Sequence, residues 1–380
     1  MNINQIQTRK VTRKVFVGHQ AIGGDAPIAV QSMTKTKTAD VAATVRQIKQ
    51  LEDAGCEIIR VAVPDLNSAE AIREIKKQIR IPLVADVHFD YRLALKAIEA
   101  GADKIRINPG NIGELSRIKR VLGLARNYEI PLRIGVNSGS LEKDILNKYG
   151  HVCAEALVES TERHIEICQD FGFDDIVLSL KASDVKMMID SYRMIAARVD
   201  FPLHLGVTEA GTYQAATIKS AIGIGALLAD GIGDTIRVSI TGDPVAEVEV
   251  GFRILKALDL RENGISIISC PTCGRLQTDL FSIIQVVEKR VANIHKNLKV
   301  AIMGCTVNGP GEAREADLGI ACGKNSAILF KQGKIIRKLA EDEIVEVLIR
   351  EIQNWNSLTD NDNGGFTNDA TEILAEEFVK

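Results

Sequence analysis

The sequence predicts an α/β fold: a (β/α)8 TIM barrel over residues 1–260, followed by a small α+β domain over 261–355. Three observations carry that expectation. A short apolar segment, a polar turn and an amphipathic stretch recur between Pro27 and about Leu258, making eight strand–helix units. The first strand runs into SMTKTKTAD rather than a glycine-rich phosphate loop, which disfavours an open doubly wound sheet. The 380 residues leave room for a barrel of about 250 residues and one small domain.

The strand candidates come in order as PIAVQSM from Pro27, EIIRVAV from Glu57, PLVADVH from Pro82 and KIRINPG from Lys104. PLRIGVN from Pro131, DIVLSLKAS from Asp175, PLHLGVTEAG from Pro202 and DTIRVSITGD from Asp234 complete the set. Three open with a proline, which a strand tolerates at its first residue. Helices such as VAATVRQIKQLEDAG and SAEAIREIKKQI lie between them, and DAGCE, EAGADK, DFGFDD and ADGIGD supply glycine stops. After Leu258 the pattern changes. RENGISIISCPTCGR reads as a strand ending in a Cys-x-x-Cys turn, and TDLFSIIQVVEKRVANIHK as a helix. LKVAIMGCTVNGPGEAREADLGIACG gives a strand, a glycine-rich loop and another strand. SAILFKQGKIIRKL reads as a hairpin turning at Gln332-Gly333, and EDEIVEVLIREIQ as a last helix. Residues 356–380 form a polar, acidic tail, expected to be mobile.

Composition narrows the function. With 46% hydrophobic and 26% charged residues, the chain is an ordinary globular one. Lysines and arginines number 47 against 50 acidic residues, and aromatics are 4%, so neither a nucleic-acid coat nor a stacking platform is expected. No apolar run is long enough to span a membrane, and the first residues lack the apolar core of a signal peptide, so a cytoplasmic protein is expected. Seven cysteines in a reducing compartment argue against a disulfide framework.

Strand side chains alternate between two faces. Arg60, Asp86, His88, Arg106, Asn108, Arg133, Asn137, Ser179, Lys181, Arg237 and Ser239 fall opposite the apolar set of their strands. The apolar set must meet the helices, so these residues are expected in the lumen, where barrels normally pack branched aliphatics. Four arginines and a lysine there require anionic partners. Internal pairing with Asp86 and Glu209 is the plainer reading. A pocket for a phosphorylated substrate is the sharper one, since guanidinium groups suit phosphate oxygens and barrel sites lie at strand C-termini. His204 fits the pocket or a packed core equally well.

In the small domain, Cys270 and Cys273 form a Cys-x-x-Cys pair, and Cys305 follows in GCTVNGPGEA. A structural zinc site would want a second close pair, which is missing. A thioredoxin-like pair would want a helix starting in CPTC. An iron–sulfur cluster accepts three thiolates and a different fourth ligand. Gly304, Gly309 and Gly311 free the backbone to wrap a bulky cofactor, and Asn308 and Glu312 supply polar groups, with Glu312 the candidate fourth ligand. Cys56, Cys153 and Cys168 are expected to be inert small core residues, and Cys322 structural.

With these residues assembled, the chain resembles the 4-hydroxy-3-methylbut-2-enyl diphosphate synthase family of the non-mevalonate isoprenoid pathway. The resemblance runs from AIGGDAPIAVQSMT to about Trp355 and is carried by VADVHFDYRLA, KIRINPGNIG, LRIGVNSGSLE, SCPTCGR and GCTVNGPGEA. It implies the short bacterial form, a barrel with a [4Fe–4S] domain similar to part of sulfite reductase. The implied reaction is reductive ring opening of 2-C-methyl-D-erythritol 2,4-cyclodiphosphate, with two electrons from flavodoxin or ferredoxin. By motif, Cys270, Cys273, Cys305 and Glu312 would hold the cluster. Arg60, Arg106, Arg133, Lys181, Arg237 and Ser239, with Asn137 and His204 beside them, would hold the diphosphate. Glu209 and Asp86 would stand at the reacting end, and Asn308 in the cluster loop near the substrate. The connection at Arg261–Gly264 is short for folding the small domain over its own barrel mouth, so a homodimer with sites shared between chains is expected. A zinc-capped barrel enzyme without redox chemistry and an electron-transfer protein are the alternatives. A radical S-adenosylmethionine enzyme would need a Cys-x3-Cys-x2-Cys run that the sequence lacks.

Overall fold

The structure, a computed structural model, describes residues 9–108, 114–261, 264–291, 294, 296–305, 311 and 316–355. Packing divides the chain into two units, Met1–Arg261 and Glu262–Lys380, and each is described by itself. The acidic tail at 356–380 lies outside the described residues.

In the first unit, eight parallel strands follow one another around a barrel in the order β8-β7-β6-β5-β4-β3-β10-β9. They are β3 (Ala29–Met33), β4 (Ile58–Ala62), β5 (Leu83–Asp86), β6 (Lys104–Ile107), β7 (Leu132–Asn137), β8 (Ile176–Lys181), β9 (His204–Leu205) and β10 (Thr235–Ile236). A parallel bridge between Leu178 and Leu203 joins β8 to β9 and closes the ring. All eight coincide with the segments expected from the sequence, although β9 and β10 have only two paired residues each.

The helices packed outside are α1 (Val41–Asp53), α2 (Leu66–Lys76), α3 (Tyr91–Glu99), α4 (Leu115–Asn127), α5 (Lys143–Tyr149), α6 (Ala154–Asp170), α7 (Val185–Ala196), α8 (Tyr213–Ala229) and α9 (Pro244–Ala257). Local chemistry starts several of them. Asp40, Asp65, Asp90, Asp184 and Asp243 each accept a first-turn backbone N–H, a cap worth about 1 kcal/mol. The glycines of the four expected stops, Gly55, Gly101, Gly172 and Gly231, all have positive φ. Two features go beyond the repeat. A 3-10 turn (Ser138–Ser140) and the extra helix α5 intervene between β7 and α6. A hairpin of β1 (Val15–Val17) and β2 (Gln20–Ile22) precedes the barrel.

That hairpin explains how the lumen is arranged. Val15, Val17 and Ile22 form one apolar cluster with Ala29, Ile58, Val84 and Val177, the lumen-facing residues early in β3, β4, β5 and β8. The helix-facing residues of the same strands, such as Val30, Ile59, Ala85 and Leu178, join the large core instead. The N-terminal end of the lumen is therefore plugged, and Lys104, Thr235 and His204 are the first polar residues level with the plug.

In the second unit a five-stranded sheet has the order β11-β12-β13-β14-β15. β11 (Ile265–Ser269), β12 (Leu298–Met303) and β13 (Leu318–Gly323) are parallel, while β14 (Ser326–Lys331) and β15 (Lys334–Ala340) form the expected hairpin. Gln332 and Gly333 have φ of 49° and 76°, the left-handed pair that a two-residue hairpin turn needs. Helices α10 (Leu280–Val291) and α11 (Ile344–Gln353) cover one face, burying Leu280, Val287, Val300, Ile320, Leu348 and Ile352.

Candidate functional site

Six cationic side chains enter the lumen from the strands: Arg60, Lys104, Arg106, Arg133, Lys181 and Arg237. Arg133 and Lys104 are 0% exposed, Arg106 4%, and Arg60 and Lys181 7%; the Arg237 side chain is 13% exposed. Neighbouring strands make room for them. A Cβ on Gly135 would lie 2.5 Å from Arg106 Nε, and one on Gly206 would lie 2.7 Å from the Arg237 carbonyl oxygen and 3.2 Å from Lys181 Nζ. Only glycine fits beside these cations.

Two buried carboxylates serve this cluster among the described residues, Asp86 from strand β5 and Glu247 from helix α9. Asp86 accepts from Arg106 Nη1 at 3.1 Å and lies 3.5 Å from Arg60 Nε, with His88 Nε2 at 3.6 Å. Burial works against its charge, but Arg60, His88 and Arg106 outweigh burial and hold it well below the usual carboxylate range. Arg60 otherwise donates to the sulfur of Met33, a weak acceptor, at 2.9 and 3.1 Å, and burial pushes it down to about 9. Arg133 reaches only the amide oxygen of Gln31, at 3.4 Å. Lys181 has Arg60, Arg133, Arg237 and Arg106 as its electrostatic neighbours, and burial and these cations push its ammonium well below the ordinary lysine value. His204 is fully buried, with Nδ1 at 2.7 Å from Thr235 Oγ1; burial and then Arg133 hold it well below the ordinary histidine value. Side-chain nitrogens of Gln31, Lys104, Arg106, Arg133, His204 and Arg237 have no hydrogen-bond partner among the described residues. That many orphaned donors in one enclosed space is the mark of a missing acceptor.

Arg60, Asp86, Arg106, Arg133, Lys181, His204 and Arg237 are therefore brought together as the parity argument expects. Asn137 and Ser239 are half-buried at the mouth, and Asn137 is level with Lys181. Glu209 departs from the plainer reading. It is exposed and makes no ion pair with the lumen cations among the described residues, so internal pairing with Glu209 does not occur. Its φ of 51° is left-handed, a strained state for a non-glycine residue and one that collects at functional sites. Glu247 was not anticipated from the sequence. It starts from the first turn of α9, lies 1% exposed, and accepts from Ser32 Oγ, the Ile240 N–H and Arg237 Nη2 at 3.1, 3.1 and 3.5 Å. Lys104 was also missed, although its parity with Arg106 was readable.

In the second unit, Cys270 and Cys305 follow β11 and β12, whose ends are in register at Ser269 and Ile302. The Gly304 N–H donates to Cys270 Sγ at 3.4 Å, and the Gln277 N–H donates to the Gly304 carbonyl at 3.1 Å, drawing the CPTC turn to the second strand end. Cys273 is exposed, and N–H donation from Arg275 lowers its thiol. Asn308 and Glu312 lie outside the described residues. Among the described residues no three His, Cys, Asp or Glu side chains converge closely enough to hold a metal ion. The donor set nevertheless suits iron and sulfide: two thiols at adjacent strand ends, a third on the connecting turn, and backbone N–H groups aimed at sulfur. Cys56, Cys168 and Cys322 are buried, and burial pushes each thiol up to about 12. Cys153 departs from expectation. It is half-buried, packing against the edge of the barrel core just before α6 while also lining an open surface pocket of about 630 Å³.

No helix of the described residues is long and apolar enough to cross a membrane. Models of the GcpE family match the chain twice: the GcpE TIM-barrel domain over residues 12–252, and the GcpE protein C-terminal domain over 266–354. The 4-hydroxy-3-methylbut-2-en-1-yl diphosphate synthase (flavodoxin) of Clostridium acetobutylicum is 59% identical over 343 residues, covering 90% of this chain and 98% of its own. The protein of the same name from Geobacter sulfurreducens is 57% identical over 342 residues, covering 90% and 97%.

Proposed function

The chain belongs to the GcpE family, and we propose that it carries out the reaction for which its relatives are named. It opens the ring of 2-C-methyl-D-erythritol 2,4-cyclodiphosphate to give 4-hydroxy-3-methylbut-2-enyl diphosphate, consuming two electrons and two protons and releasing one water. Flavodoxin, named with the relatives, is the electron donor, and ferredoxin is the alternative. The observation that carries the reading is the lumen: six cations against two carboxylates, Asp86 and Glu247, with buried donors left without a partner among the described residues. A diphosphate supplies the acceptors and the negative charge that this space lacks.

Arg60, Arg106, Arg133, Lys181 and Arg237 bind the diphosphate, with Ser239, Asn137 and His204 as neutral partners. Asp86 orients Arg60 and Arg106 and keeps the free pocket from being wholly cationic. Glu209, exposed at the mouth, is the group placed to hold a proton at the reacting end. Cys270, Cys273, Cys305 and Glu312 would hold a [4Fe–4S] cluster, with Asn308 in the same loop. Such a cluster, when bound, supplies electrons singly at low potential. Gripping the diphosphate in a closed lumen excludes water and spends remote binding energy on positioning. The protein works in the cytoplasm, a setting that its seven free cysteines support.

Anaerobic reconstitution with iron and sulfide, followed by assay of the cyclic diphosphate with a chemical reductant, tests the reading. A colourless protein that forms no product would overturn it.

The working unit is a homodimer in which one chain's barrel meets its partner's cluster domain. Mixing a Cys305→Ser chain with a Lys181→Ala chain, each inactive alone, should restore up to about a quarter of wild-type activity per total site, because half the dimers are mixed and each has one intact composite site. No recovery after verified subunit exchange would place both halves of a site in one chain.

A further inference from the structure

Lys104 is the one lumen cation that the reading above leaves unused. It opens β6 on the same face as Arg106, beside the lumen-facing Val84 of β5, and through Val84 it is level with Arg60. Its side chain is 0% exposed, and Nζ donates to no group among the described residues. The charges that act on it most are those of Arg133 and Arg60, both of the same sign.

The groups facing it can be taken strand by strand. β3 offers Gln31, whose amide nitrogen is itself without a partner. β4 and β7 bring Arg60 and Arg133. β5 brings Asp86, already shared between Arg60 and Arg106. β8, β9 and β10 bring Lys181, His204 and Arg237, and His204 feels the charge of Lys104 directly, while Glu247 of α9 is taken by Arg237, Ser32 and the Ile240 N–H. Nothing in this set accepts a proton or a hydrogen bond from Lys104. An ammonium there would be buried, unpaired and repelled, which is far costlier than a neutral amine. Burial and then Arg133 accordingly push it well below the ordinary lysine value.

A structural lysine would normally extend to solvent or to a carboxylate; this one does neither. An incoming polyanion reverses the sign of the local field and supplies the acceptors. We infer that Lys104 is a further substrate-binding residue at the floor of the lumen, and that its ammonium forms by proton uptake from solvent as the diphosphate enters. The inference rests on the proposed function and deepens it by adding a binding group and a proton to the association step.

The experiment is titration calorimetry of the reconstituted holoenzyme with the cyclic diphosphate, without reductant, in two non-phosphate buffers of different ionisation enthalpy. The wild type should take up protons on binding. Lys104→Met should take up about one fewer and bind roughly tenfold more weakly, with the cluster absorption unchanged. Lys104→Gln serves the same purpose should the methionine variant fail to fold. Unchanged proton uptake with unchanged affinity in the variant would overturn the role of Lys104 alone. A wild type that does not bind the cyclic diphosphate would overturn the proposed function with it.

The free protein gives a second readout. The folded chain holds a proton on Lys104 less readily than the unfolded chain does, so this residue costs stability below its ordinary value, and the cost fades as pH rises toward 10.5. Lys104→Met should therefore melt no lower than wild type at neutral pH. A purely structural lysine would show the opposite, a clear drop in melting temperature.

Discussion

The barrel lumen and the cysteine end of the second domain are both built on parallel strands, yet their working side chains are held differently. In the lumen, Arg60, Arg106, Arg133 and Lys181 belong to the strands themselves and are buried. In the second domain, Cys270, Cys273 and Cys305 lie on the segments beyond β11 and β12, and Cys273 is exposed. A strand fixes where a side chain starts and which way it points, which suits recognition of a rigid anion. A loop adapts its backbone around a guest and can aim N–H groups at sulfur, which suits a cofactor that completes the site when it binds. The lumen cations are thus fixed by the strands that carry them, while the cysteines depend on the backbone of the segments that follow theirs.

The largest effect should come from breaking the cysteine half. Cys270→Ser, Cys273→Ser or Cys305→Ser should abolish both the broad visible absorption of the reconstituted protein and its activity, whereas Cys153→Ser should change neither. A fully coloured Cys305→Ser protein would remove that residue from the ligand set. The barrel half should fail differently, losing affinity but keeping colour. Arg106→Ala and Arg237→Ala should each weaken binding of the cyclic diphosphate by about 2–4 kcal/mol if the contact is desolvated. Normal binding by calorimetry would make that arginine an internal partner, of Asp86 for Arg106 or of Glu247 for Arg237.

The smallest effect should come from the insertion beside the mouth. Glu142 lies 2.6 Å from His164 Nε2 and accepts from Ser160 Oγ at 2.8 Å, so it holds the start of α5 against α6. Burial opposes its charge, but His164 and the surrounding hydrogen bonds prevail and bring Glu142 down to about 2. Its folded value lies below its ordinary 4.5, so the stabilisation is complete above about pH 4.5 and is lost as pH falls toward 2. Glu142→Gln should melt lower than wild type at pH 7, and the gap should close as the pH is taken below 4. A gap independent of pH would mean that packing, not charge, holds the insertion. Cluster colour should not respond, since the change lies wholly in the barrel unit.

The sequence by itself determined the eight barrel strands, the glycine stops, the hairpin turn at Gln332-Gly333 and the face on which each arginine lies. All of these follow from covalent geometry within a few residues: period-two alternation, left-handed glycine, side-chain caps. Tertiary structure alone decided what each side chain meets. Gln31 reaches Arg133 across 102 residues of sequence, Ser32 reaches Glu247 across 215, and Val15, Val17 and Ile22 plug a lumen built mostly from strands that come later. Lys104 shows the division most clearly. Its direction was legible from Arg106 two residues on, but its lack of an anionic partner among the described residues was not. The cost of a buried charge sums over every group around it, and in a closed barrel those groups come from all parts of the chain.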